Sequence, residues 1–251
     1  MKFLPTTKEE MKNLGWDSID VLLISGDTYL DTSYNGSALV GKWLVEHGFK
    51  VGIIAQPEVD VPDDITRLGE PNLFFAISGG CVDSMVANYT ATKKRRQQDD
   101  FTPGGENNKR PDRAVLVYSN MVRRFFKGTT KKIVISGIES SLRRITHYDY
   151  WTNKLRKPIL FDAKADILSY GMGEMSMLQL ATALKNGEDW QNIRGLCYLS
   201  KEIKEDYLSL PSHSECLADK DKFIEAFHTF YLNCDPITAK GLCQKCDDSY
   251  L

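Results

Sequence analysis

Lys132-Ile-Val-Ile-Ser136, stopped by Gly137, and Asp166-Ile-Leu-Ser-Tyr170, stopped by Gly171-Met-Gly173-Glu174, decide the fold. Each is a short apolar run that ends on glycine, the first rich in β-branched residues, and each reads as a buried strand. After the second run, Met177, Leu178, Ala181 and Leu184 recur at helical spacing, and Asn186-Gly187 ends that helix. Strand, glycine turn and helix together make up half of a parallel crossover unit.

The same rhythm runs upstream. Asp20–Ser25 is a strand that ends in Ser25-Gly26-Asp27, and the helix after it, Gly36–His47, carries Leu39, Val40, Trp43 and Leu44 on one face. Phe49–Ala55 is a second strand, and residues 60–69 are a short helix. Leu73–Ser78 is a third strand ending in Ser78-Gly79-Gly80, with a helix expected over Cys81–Ala91. Asp112 can cap a helix to Lys127 whose stripe is Ala114, Val117, Tyr118, Met121, Val122 and Phe125. The polar stretch Thr92–Arg113 reads as a long surface loop.

Five alternations predict a doubly wound α/β fold. Its mainly parallel five-stranded sheet carries helices on both faces. The order 2-1-3-4-5 is expected, although other doubly wound orders alternate in the same way. After Ile193 the rhythm changes to a strand at Gly195–Leu199 and a helix at Asp219–Tyr231. Residues 1–190 are therefore read as the doubly wound domain and 191–251 as an α+β extension.

Bulk properties exclude several classes. The chain has 251 residues, 42% hydrophobic and 26% charged, with net charge −2, so no overall basic field draws it to nucleic acid. No run of ~18 apolar residues occurs, and Met1–Trp16 lacks the apolar core of a secretory leader. Six cysteines in such a chain are expected to be reduced thiols in the cytoplasm, with no membrane partner. Lys93–Arg96 reads as a solvated loop. No aromatics are interleaved with it to stack nucleic-acid bases.

In an open parallel sheet, loops leaving the C-terminal strand ends converge on a crevice. The candidate ligand-binding residues are Ser25, Gly26, Asp27 and Asn35 from the first loop, and Ser78, Gly79 and Gly80 from the third. Gly137, Glu139 and His147 follow the fourth strand, and Gly171, Met172, Gly173 and Glu174 follow the fifth. Glycine permits close approach of a ligand to the backbone, and equally permits a tight turn. The helix from Glu174 presents free N–H groups suited to an anion or amide. Gly171-x-Gly173 is not the dinucleotide fingerprint, because Ser176 stands where a third glycine is needed. No catalytic residue and no metal ligand is assigned.

The run Ser136-Gly-Ile-Glu-Ser-Ser-Leu-Arg-Arg-Ile-Thr-His-Tyr-Asp-Tyr-Trp151, with Asp162–Glu174 and Asp27-Thr-Tyr-Leu-Asp-Thr-Ser-Tyr-Asn-Gly36, resembles the N-terminal region of YgiQ-type radical S-adenosylmethionine (SAM) proteins. The resemblance covers nearly the whole chain. It implies an accessory domain that shapes the substrate site of a following radical SAM barrel or binds a small ligand, in a protein whose full length carries a [4Fe–4S] cluster and SAM. At lower resolution the region resembles cobalamin-binding domains, which implies a possible corrinoid.

Two departures limit what the resemblance implies. The Asp-x-His-x-x-Gly loop is absent, so no histidine offers itself to cobalt there. The Cys-x-x-x-Cys-x-x-Cys signature is also absent, since Ala239 stands four before Cys243. This segment alone is thus not expected to catalyse, and the barrel is its expected partner. A non-catalytic small-molecule or corrinoid module, and an RNA or protein interaction domain, are the alternatives. Cys243 and Cys246 read as free thiols in a hairpin. His147 can be an acid–base group or a packing residue among aromatics.

Overall fold

The computed structural model describes residues 3–30, 36–235 and 237–251. Asn35 and the rest of the Asp31–Asn35 part of the first-loop motif lie outside the described residues. The chain opens with α1 (Lys8–Asn13), capped by Thr7, then β1 (Val21–Ser25), α2 (Gly36–Glu46), β2 (Val51–Ala55), α3 (Pro62–Thr66) and β3 (Phe74–Ser78). Next come α4 (Ser84–Asn88), α5 (Ala114–Phe125), β4 (Lys132–Ser136), α6 (Gly137–Ser141), β5 (His147–Asp149) and β6 (Lys154–Arg156). After these lie α7 (Ile159–Ala163), β7 (Ile167–Ser169), α8 (Glu174–Asn186) and β8 (Leu196–Tyr198). The chain ends with β9 (Leu208–Leu210), α9 (His213–Ala218), α10 (Lys220–Leu232), β10 (Leu242–Cys246) and β11 (Ser249–Tyr250).

The main sheet has six strands in the order β2-β1-β3-β4-β7-β8. The first five in that row run parallel. The expected five-stranded count is corrected here. β8, read from sequence as the start of the extension, joins the edge antiparallel to β7 through the pairs Ile167–Tyr198 and Ser169–Leu196. Three residues are too few to carry a direction or a partner in their pattern.

The strands earn their place by burial. Val21, Leu22 and Ile24 of β1 and Ile133, Val134 and Ile135 of β4 have no exposed surface, and each such side chain contributes ~1.5–3 kcal/mol. On one face β1, β3 and β4 pack against α5 and α7 through Tyr118, Met121, Val122, Ile159 and Leu160. On the other they pack against α2 and α8 through Leu44, Met177, Leu180 and Ala181.

Two local expectations change. The helix expected over Cys81–Ala91 is the single turn of α4, started by Asp83, whose side chain accepts from Met85 N–H. Asp112 does not cap α5. Its carboxylate accepts from Asn88 Nδ2 (2.8 Å) and the Tyr89 hydroxyl (2.7 Å). The first N–H groups of α5 are met from elsewhere in the fold: Ala114 donates to Ser84 Oγ (3.1 Å) and Val115 to Glu139 Oε1 (3.2 Å).

Beyond β8, β11-β10-β9 form a small sheet beside α9 and α10. Reciprocal bonds of 2.8 Å between Ser200 and Tyr250 fasten it next to β8. Gln244 of β10 lies buried, accepting from Thr146 N–H (2.8 Å) and donating to the Pro211 carbonyl (2.8 Å). Among the described residues no helix is long and apolar enough to cross a membrane.

Candidate functional site

The loops after β1, β3, β4 and β7 meet at one end of the sheet and enclose a crevice of about 450 Å³. Of the residues singled out in the sequence, Ser25, Asp27, Ser78, Gly80, Gly137, Gly171, Met172, Gly173 and Glu174 line it. Gly26 and Gly79 do not, because they face each other between neighbouring loops. A Cβ on Gly26 would collide with the Gly79 carbonyl, and one on Gly79 would stand 2.5 Å from Glu139 Oε2. Gly80, at φ +115°, leaves no room beside the Asp27 carboxylate, and Gly137, at φ +82°, would put a Cβ 2.7 Å from Ser78 Oγ. These glycines let the loops close on one another. Gly171 has φ +71° and open space around it, so its glycine serves the turn.

Glu139 does not line the crevice; it is 2% exposed and borders a separate small niche. Its Oε2 accepts from Ser84 N–H (3.0 Å) and its Oε1 from Val115 N–H, so one carboxylate serves the starts of both α4 and α5. Burial pushes its pKa up from the usual carboxylate range, with Asp83 adding to the rise. Its place here is structural, as a cap supplied across the fold.

His147 is also elsewhere. It sits on the β5–β6 ribbon in a separate, water-sized niche with Arg113, Arg143 and Arg156. Nδ1–H donates to the Ile145 carbonyl (3.2 Å), and burial drives the imidazole pKa down to about 4. Arg143 pairs with Asp83, and Arg113 with Asp149 (2.8 Å).

The surface-loop reading of Thr92–Arg113 is corrected at its heart. Arg110 is 1% exposed and heads the fully buried side chains of the described residues. Its Nε donates to the Gly26 carbonyl (2.9 Å), and its Nη2 contacts Asp27 Oδ1 (2.6 Å) and Asp99 Oδ2 (3.4 Å). Gln56 Nε2 bridges the Gly26 carbonyl (3.0 Å) and Thr102 Oγ1 (2.7 Å), and Thr28 N–H reaches the Phe101 carbonyl (2.9 Å). The insertion is thereby bolted to the first crevice loop. Asp27 also accepts from Cys81 N–H (2.6 Å). Burial pushes Asp27 up and Arg110 pulls it back.

Sequence reasoning missed Arg110, since one arginine in a polar run carries no periodic signal. It also missed the apolar walls, Leu23, Val40, Ala76 and Met177, which the strand and helix patterns assign to the core. The basic run Lys93–Arg96 does meet aromatics, brought to it by the fold. Lys93 Nζ stands 5.0 Å from the Tyr150 ring and donates to the Trp151 carbonyl (3.0 Å). Arg96 Nε donates to the carbonyls of Val86 and Tyr89 (3.1 Å each). Lys93 thereby ties the insertion to the β5–β6 ribbon, and Arg96 ties it to α4 and the residue after it.

The crevice is an apolar slot with a polar, glycine-built rim. α8 starts at its edge without a side-chain cap, so its first N–H groups are free for a ligand acceptor. Cys81, the thiol in the wall, is pushed up to about 12 by burial and by Asp27, so it stays protonated. No histidine lines the slot among the described residues, so these offer cobalt neither imidazole nor thiolate. Iron fares no better: all six cysteines are free, and no cluster of metal-ligating side chains exists among the described residues.

The family model described as Radical SAM N-terminal matches residues 3–251. A UPF0313 protein of Fusobacterium nucleatum subsp. nucleatum is 96% identical over all 251 residues, which make up 44% of that protein. A UPF0313 protein of Thermotoga neapolitana is 49% identical over 99% of this chain and 44% of its own length. The chain thus spans less than half the length of the curated relatives it matches. Among solved structures, the radical SAM methyltransferase TsrM of Kitasatospora setae, with cobalamin and a [4Fe–4S] cluster bound, overlays 72% of this chain and 27% of its own. That overlay has a TM-score of 0.48 at 17% identity.

Proposed function

The chain belongs to the radical SAM N-terminal family, and from that premise we propose that it is the accessory α/β domain of a longer, cytoplasmic radical SAM iron–sulfur protein, forming one wall of the substrate site. Residues 1–190 hold the crevice, and residues 191–251 link it to the rest of the polypeptide. The observation that carries this reading is the crevice itself. Four loops line it, and those after β1 and β3 are packed Gly26 against Gly79, at the sheet end where doubly wound folds bind ligands. Its ligand is a small molecule with an apolar body and an acceptor group placed at the start of α8.

The cluster and SAM belong to the remainder of the longer protein, because three thiolates at cluster spacing are absent from this sequence. The alternative of an RNA-binding domain is less well supported, since Lys93 Nζ and Arg96 Nε donate to internal carbonyls. Free thiols throughout support the cytoplasm.

The test uses the longer Fusobacterium nucleatum relative, purified without oxygen and supplied with iron and sulfide. It is expected to bind a [4Fe–4S] cluster and to form 5′-deoxyadenosine from SAM under reduction. Leu39→Trp, which narrows the crevice from an exposed position, is expected to keep the cluster and lose small-molecule retention. A protein that binds no cluster refutes the reading.

A further inference from the structure

We infer that the exposed apolar stripe of α10 and the apolar lip of the crevice form one docking surface, and that its occupant is the part of the longer polypeptide lying outside the matched region. This rests on the accessory-domain reading and adds where that domain meets its partner.

The stripe is unusual for a surface helix. α10 buries only Ala226. Ile224, Phe227 and Tyr231, at i, i+3 and i+7, form one face and are 53%, 56% and 67% exposed. The Phe227 and Tyr231 rings stack at 6.3 Å. At the crevice lip, Ile138 and Met172 are 41% and 90% exposed. Single exposed apolar residues are ordinary, whereas aligned aromatic ones mark an interface.

Arg144 joins the two areas. Its guanidinium lies 3.9 Å from the Tyr170 ring centroid and 4.4 Å from that of Phe230. Tyr170 directly precedes the lip residues Gly171 and Met172, and Phe230 precedes Tyr231. Arg144 thus bridges α10, at the residue before Tyr231, to the chain just before the lip.

The relatives' length identifies the occupant. The matched chain is 44% of each relative, so a body at least as large is tethered to this one, and tethering raises its effective concentration to the millimolar range, about enough to favour docking without a tight intrinsic interface. A body seated on α10 and on the lip would roof the crevice, turning an open slot into the interdomain site that small ligands favour.

The experiment places a benzophenone amino acid at position 227, 172 or 14 of the longer Fusobacterium nucleatum relative. Leu14, exposed at the end of α1, is the control. Cross-linked peptides are read from a mixture of isotope-labelled and unlabelled chains. Positions 227 and 172 are expected to cross-link within one chain to residues outside the matched region, and position 14 is not. Cross-links only between labelled and unlabelled chains would make the face a dimer contact and overturn the inference, and no cross-link would overturn it as well. In the same protein Phe227→Asp is expected to raise protease nicking between the two bodies about tenfold with the circular dichroism unchanged; unchanged nicking would count against docking. A polypeptide that binds its cluster but fails to cross-link sinks this inference alone. One that cross-links but binds no cluster sinks the accessory-domain reading instead.

Discussion

His147 shows how burial settles a residue's role. The sequence leaves it between acid–base work and packing. Its position in a niche with three arginines, away from the crevice, favours packing. Its ordinary pKa of 6.5 falls to about 4 in the fold, chiefly through burial. The unfolded chain therefore takes up a proton between those values while the folded chain does not, so stability present above pH 6.5 is lost as the pH falls towards 4. Between pH 7.5 and 5 the wild type is expected to lose ~1–2 kcal/mol more than His147→Gln, read from urea midpoints. Equal losses would remove His147 as the cause.

At the scale of elements, the crevice loops turn on why each glycine is there. Gly26→Ala drives a methyl into the Gly79 carbonyl, and backbone cannot yield as a side-chain tip can. Gly171→Ala meets no neighbour and bears only the strain of its positive φ. Thermal unfolding is expected to show about 1 kcal/mol lost for Gly171→Ala and roughly 3 kcal/mol or more for Gly26→Ala. Similar losses would mean that the loops can part.

Sequence patterns reach these elements unevenly. β1, β3, β4 and α8 were legible because a branched apolar run or a 3.6-residue stripe is dictated by burial along one segment. β8 and the start of α5 were not. β8 takes its direction from β7, and α5 takes its caps from Ser84 and Glu139, so both depend on partners distant in sequence. In the site, nine residues chosen from strand-end loops do line the crevice. Gly26, Gly79, Glu139 and His147 share those loops but point their chemistry elsewhere, which loop membership alone cannot distinguish.

At the scale of the whole molecule, what the slot lacks matters as much as what it holds. With no histidine among the described wall residues and the Cys81 thiol held protonated, a corrinoid would find neither imidazole nor thiolate for its cobalt there. After incubation with hydroxocobalamin and gel filtration, the longer Fusobacterium nucleatum relative is expected to retain no corrinoid absorbance. A retained spectrum would assign the crevice to a corrinoid held without axial protein ligation and displace the small-ligand reading.

The Arg110 anchor also bears on transplantation. Surface loops are usually trimmed or exchanged freely when a domain is grafted or minimised. Here residues 92–113 deliver the guanidinium that Asp27 and Asp99 share in a buried setting. Cutting the segment would strand Asp27 without its cation at the crevice wall, where an unpaired buried charge typically costs about 3–5 kcal/mol. A chimera borrowing this crevice must bring the insertion with it, and a homologue with a shorter insertion must carry a different residue at position 27.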